Sequence, residues 1–168
     1  YIFLVGNLSA SYYFSIFDNP KYSKDFESFD YIEPNAPQGG ELRIGAVGSF
    51  NNLNPFILQG NPGDGIGFSF DSLMSKSKDE LASAYPLIAK SINISPTNSE
   101  VSFNLNQNVR FHDGSYLTAK DIKFTFETLS SKGHPRYKVG LRDILSIKII
   151  DQYNVTFSLK DIKNKDLI

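Results

Sequence analysis

Side chains able to carry covalent or metal chemistry are sparse in this sequence. No cysteine occurs among the 168 residues, so disulfide scaffolds, thiolate zinc sites and cysteine nucleophiles are all excluded. The two histidines, His112 and His134, lie far apart in the chain. A transition-metal site needs imidazole and carboxylate groups converging on one ion, and the neighbours His112-Asp113 share no face. His112 stands just before the Asp113-Gly114 turn, which explains it structurally, and His134 beside Pro135 reads as a surface loop residue. Serine is plentiful, yet none sits in the Gly-x-Ser-x-Gly elbow of a serine hydrolase. The cluster Gly63-Asp64-Gly65-Ile66-Gly67 could bring backbone amides close to a phosphate at a helix start. It lacks both the Gly-Lys-Ser/Thr ending of a phosphate loop and the dinucleotide spacing, so a flexible helix entry is the simpler reading. The Asn-x-Ser/Thr triplets at Asn93 and Asn154 are expected by chance in so Asn-rich a chain. Nothing here supports an enzyme, and neither a metal nor a cofactor is expected.

Composition points the same way. Hydrophobic residues make up 40% and charged residues 21%, enough for a real core and too apolar for disorder. A chain of 168 residues suits one compact domain or a piece of a larger one. The net charge of −1 and an isoelectric point near 6.1 argue against nucleic acid and against an anionic membrane surface as partners. Aromatics reach 14% with no tryptophan, which together with the wealth of Asn, Ile, Lys and Ser reflects AT-rich coding bias.

The elements that would position any site follow from pattern. Residues 12–40 are aromatic, polar and turn-rich, and end in Pro34-Asn35-Ala36-Pro37-Gln38-Gly39-Gly40, a connecting loop. Residues 41–47 alternate as a strand does, with Leu42, Ile44 and Ala46 on one face and no obvious partner in the chain. A turn-rich stretch through Leu53-Asn54-Pro55 and Gln59-Gly60-Asn61-Pro62-Gly63 leads to a predicted helix from Asp64, with Ile66, Phe70 and Leu73 on one face. Residues 91–95 and 101–105 read as a hairpin turning at Pro96-Thr97-Asn98. A second helix opens at Thr118, with Asp121 in the acidic place of a capping box and Ile122, Phe126 and Leu129 facing inward; Gly133 and Pro135 end it. Two further strands, 144–150 and 153–159, flank an Asp151-Gln152 turn, giving a mixed α/β domain.

At the start, residues 1–11 pass from an apolar run to small residues, as the tail of a secretory signal does, and a cut after Ser11 suits the small-residue rule better than one after Ala10. The run is too short to cross about 30 Å of hydrocarbon. No later stretch is long and apolar enough to do so.

The segment Val109-Arg110-Phe111-His112-Asp113-Gly114-Ser115-Tyr116-Leu117-Thr118-Ala119-Lys120-Asp121-Ile122-Lys123-Phe124-Thr125-Phe126 resembles the signature of the family 5 extracellular solute-binding proteins: apolar, any, Asp-Gly, short spacer, Thr-Ala, any, Asp, apolar, any, Phe. Leu53-Asn54-Pro55, Asp71-Ser72-Leu73-Met74 and Tyr85-Pro86-Leu87-Ile88-Ala89-Lys90-Ser91 are similar to the family in the same order. Asn19-Pro20-Lys21-Tyr22 and Phe29-Asp30-Tyr31-Ile32-Glu33-Pro34-Asn35-Ala36-Pro37-Gln38-Gly39-Gly40 resemble the Yej-type branch, associated with oligopeptides and microcin C. The likeness covers roughly residues 12–160.

That resemblance implies an α/β fold of the periplasmic binding protein type II (Venus-flytrap) kind, here a fragment with an incomplete first lobe. It divides the chain into a signal remnant (1–11), an N-terminal segment with the first strand of lobe I (12–48), an appended subdomain (49–160) and a truncated end (161–168). It implies a periplasmic receptor that captures a peptide ligand for an inner-membrane ABC permease, with no nucleic-acid partner and with the missing C-terminal portion as a possible companion. The alternative is an interaction or scaffold module on the same fold. In the family the loop after the Leu-x-Pro element reaches the ligand, which indicates Gln59, Gly60 and Asn61; a tyrosine after the second helix, here Tyr137, is the fourth expected contact.

Overall fold

The computed structural model describes residues 10–17, 19–37 and 39–160. Its main layer is built from the alternating segments. β4 (Ala89–Ile94), β5 (Glu100–Leu105), β6 (Ile144–Ile149) and β7 (Asn154–Leu159) form an antiparallel sheet in the order β4-β5-β7-β6. Register places Ile92 opposite Phe103, Phe103 opposite Val155 and Phe157 opposite Ile147, so one face carries a continuous apolar ladder. The β4–β5 turn is closed by Asn98 at φ 51, a left-handed conformation that asparagine tolerates.

Onto that face packs α1 (Ala119–Lys132). The Thr118 amide and hydroxyl both donate to Asp121 Oδ2, at 2.8 and 2.7 Å, closing the expected capping box. Ala119 and Ile122 are buried, and the Phe126 ring meets Phe157 edge-on at 4.9 Å. Leu105 and Val155 are wholly enclosed, and burial of such a side chain contributes about 1.5–3 kcal/mol. The helix ends where the backbone turns extended at Gly133, a position that needs glycine because a Cβ there would lie 2.5 Å from the Leu129 carbonyl oxygen. Pro135 does more than stop α1: it opens α2 (Pro135–Gly140), with His134 as N-cap, its Nδ1 accepting from the Arg136 amide at 3.2 Å.

A second, smaller sheet in the order β1-β3-β2 joins β1 (Phe14–Ser15), β3 (Ser83–Pro86) and β2 (Met74–Lys76), pairing Phe14 with Ala84 and Met74 with Pro86. Just before β1, Ser11 exchanges two backbone hydrogen bonds with Ile92 of β4, at 2.7 and 2.9 Å. The strap that follows is clamped to the region beside β3. Lys21 Nζ meets Asp30 at 2.7 Å and Asp79 at 2.6 Å, the Lys21 amide donates to Glu80, and the buried Tyr85 hydroxyl reaches Glu80 at 3.0 Å. The rings of Tyr22, Phe26, Phe29 and Tyr85 pack at 5.0–5.7 Å around this group. Residues 1–9, most of the expected signal tail, lie outside the described residues, as does the end at 161–168.

Two expected elements are corrected. The helix from Asp64 through Leu73 is a single 3-10 turn, Ile66–Ser69, after which Phe70 is extended and Leu73 leads into β2. The glycines that seemed a mere entry are the reason: Gly65 sits at φ 80, outside the helical region, and glycine on both sides of Ile66 weakens propagation. Phe70, expected on the inner face of that helix, is accordingly 46% exposed. The alternation at residues 41–47 forms no strand, because no other described segment lies alongside to accept its backbone bonds; Leu42, Ile44 and Val47 are exposed.

Candidate functional site

Gln59, Gly60 and Asn61 lie on a loop that asparagines hold in shape, and Tyr137 of α2 packs against Phe56 of the same loop. Asn52 Oδ1 accepts from the Asn54 amide at 2.6 Å, and Asn54 Oδ1 accepts from the Phe56 amide at 3.0 Å. Asn52 Nδ2 crosses the loop to donate to the Gln59 carbonyl at 2.9 Å, and Asn51 Oδ1 accepts from the Asn61 amide at 2.8 Å. The Asn51 amide returns a bond to the Asn61 carbonyl at 3.1 Å, and Asn52 bridges Pro62. Asparagine side chains thus take over the role that ladder hydrogen bonds play in a sheet.

Gly60 is required at the apex. Its φ is 80, and a Cβ there would stand 2.8 Å from Asn51 Oδ1. Gln59, Gly60 and Asn61 are exposed. Among the described residues, the Gly60 amide and carbonyl and the side chains of Gln59 and Asn61 make no hydrogen bond. Hydrogen-bonding capacity is therefore spent on the scaffold side of the loop and left open on its outer side.

Tyr137 reaches the same place from α2. The His134 amide donates to the Phe56 carbonyl at 2.7 Å, docking the start of α2 on the loop. The Tyr137 ring then lies 5.9 Å from that of Phe56, which itself meets Phe70 edge-on at 4.7 Å. Tyr137 is half-buried, and its hydroxyl accepts from Arg136 Nη2 at 2.8 Å. Arg136 also reaches the Pro55 carbonyl at 3.4 Å. His134 and Arg136 were not expected in this role; the run His134-Pro135-Arg136 immediately after the Gly133 stop is the signal, since proline at a first helical position invites a new cap.

No catalytic constellation accompanies the loop. Among the described residues no three His, Cys, Asp or Glu side chains converge as metal ligands, and no helix is long and apolar enough to cross a membrane. What the arrangement offers is a preformed rim of backbone and amide groups beside an aromatic ring.

The comparisons agree with a binding role. Residues 83–166, half of the 168-residue chain, match the family described as bacterial extracellular solute-binding proteins, family 5 Middle. The chain belongs to the family 5 bacterial extracellular solute-binding proteins. It is 36% identical over 161 residues to YejA of Escherichia coli K12, a match that covers 96% of this chain and 26% of YejA. Among solved structures, NikZ from Campylobacter jejuni in complex with Ni(L-His) superposes with a TM-score of 0.53 at 27% identity, covering 67% of this chain and 22% of NikZ. AppA from Bacillus subtilis in complex with a nonapeptide gives a TM-score of 0.51 at 22% identity, covering 62% of this chain and 22% of AppA. The fold is thus a portion of a type II periplasmic binding protein, and the chain spans about a quarter of the length of its relatives. AppA is described as an oligopeptide-binding protein, and NikZ holds Ni(L-His).

Proposed function

We propose that this protein contributes to the capture of extended peptides in the periplasm for delivery to an inner-membrane ABC permease. Gln59, Gly60 and Asn61 supply hydrogen-bonding groups to the peptide backbone, and Tyr137 supplies an aromatic wall. The observation that carries this reading is the division of labour in the loop: Asn51, Asn52 and Asn54 hold its shape, while the apex keeps unpaired donors and acceptors. A rim of that kind binds main chain rather than one side chain, as strand addition does, and its rigidity lowers the ordering cost of binding. The nonapeptide held by AppA and the 28% identity to the probable peptide-binding protein YejA of Agrobacterium fabrum support a peptide; the Ni(L-His) of NikZ marks the competing class, a small metal chelate.

The test is a chemical-shift titration of the 168-residue chain with a mixed tri- to pentapeptide pool, with Ni(L-His) as the comparison. Shifts concentrated at residues 59–61 and Tyr137 on adding peptide are expected. No change there with peptide, or change only with the nickel chelate, refutes the assignment. A full-length form that ignores peptides would instead favour an interaction module on the same fold.

A further inference from the structure

The sheet ends on one side at β6, and no described strand lies beyond it. An edge strand of this kind offers a row of backbone donors and acceptors to another chain. Beside it, between β6, α1 and α2, opens a cavity of about 360 Å³. Its half-buried lining includes Phe126, Leu141 and Ile147, while Lys138 and Arg142 on the same wall are exposed. Leu145 of β6 is 63% exposed at its mouth, an apolar side chain for which the described chain provides no cover.

Charge narrows the choice of occupant. The edge and its surroundings carry Lys123, Lys138, Arg142 and Lys148 against Glu127 and Asp143, a surplus of two positive charges on a chain whose net charge is −1. Lys123 pairs with Glu127 at 3.7 Å and Arg142 with Asp143 at 3.8 Å, which leaves Lys138 and Lys148 with no carboxylate in ion-pair range among the described residues. A second copy would set the same cations against each other. The bulge between Ile144 and Ser146, together with Lys148, also guards the edge against indiscriminate pairing. An occupant that brings carboxylates removes that penalty.

We infer that β6 and the adjoining cavity form a docking edge for an extended, acidic polypeptide segment, which adds as a fifth strand and seats a large apolar side chain against Phe126, Leu141 and Ile147. This surface is separate from the loop at residues 51–63 and does not rest on the ligand reading above. The probe is a labelled peptide of a strand's length, about eight residues, with an alternating Val/Thr centre and glutamates at both ends, beside a twin ending in lysines. At low salt the glutamate form is expected to bind the full chain at least about tenfold more tightly than the lysine form, with the gap closing as salt rises. With the probe held well below the roughly millimolar range expected of the loop, amide exchange is expected to slow at residues 144–149 and not at 59–61. The charge reversal K138E/R142E, on exposed side chains, is expected to invert the preference while leaving the circular dichroism spectrum unchanged. Equal binding of the two peptides, protection at residues 59–61 instead of β6, or a concentration-dependent dimer protecting β6 without peptide would each overturn the inference.

Discussion

The clamp around Lys21 shows how single carboxylates hold the N-terminal strap. Asp79 is kept far below the usual carboxylate range, first by its bond to the Lys21 ammonium and then by Ser77 and Tyr22. Burial opposes ionisation of Glu80, yet the Lys21 amide and the Tyr85 hydroxyl hold its pKa below the ordinary value. The Tyr85 phenol is pushed up to about 12, by burial first and then by Glu80, so it stays a donor at any physiological pH. Both carboxylates are more acidic in the fold than in the open chain. Their contribution is therefore complete above about pH 4–5, the unfolded range, and is lost as pH falls below it. Acidification is expected to lower the amide protection factors of residues 21–30 before the four-stranded sheet opens. Equal acid sensitivity of the strap and of β5 would contradict a carboxylate-held clamp.

At the scale of elements, α1 rests on its capping box and on the apolar face of the main sheet. Replacing both Thr118 and Asp121 by alanine removes the box, and urea denaturation is expected to show a loss of about 1 kcal/mol, the usual worth of a cap. The elements legible in the sequence were those whose signals are local. Alternation at Val101, Phe103 and Leu105 and at Val155, Phe157 and Leu159 announced strands, and Thr118 with Asp121 announced a helix start. The small sheet was not legible, because β1 is two residues long and finds β3 across seventy positions, Phe14 to Ala84. The helix expected from Asp64 fails because apolar spacing alone leaves out the backbone cost of two glycines, Gly65 and Gly67. For the site, a family resemblance indicated Gln59, Gly60, Asn61 and Tyr137. The contact that joins them, the His134 amide on the Phe56 carbonyl, runs between backbone atoms and leaves no mark in side-chain pattern.

At the scale of the molecule, the peptide-capture proposal gives residues 59–61 and Tyr137 the part of one wall. Receptors of the flytrap kind gain affinity by enclosing the ligand on both sides, which desolvates it and satisfies both of its edges. One wall leaves a bound peptide with a wet face while the cost of lost translation and rotation, several kcal/mol, remains. Calorimetry of the isolated 168-residue chain with tri- to pentapeptides is expected to find no binding tighter than about 1 mM, near −4 kcal/mol. Micromolar affinity would mean that this portion carries recognition alone.

The exposed run through residues 33–50 joins the strap to everything after it, and each described residue in it faces solvent. A protease should therefore nick the chain there first. The strap would nevertheless stay in place, because Ser11 is bonded to Ile92, Phe14 to Ala84, and Lys21 to Asp79 across the cut. The nicked protein is expected to run as one species on gel filtration at neutral pH and as two pieces in acid. A covalent segment would then have become a subunit, exchangeable with a synthetic peptide of its own sequence.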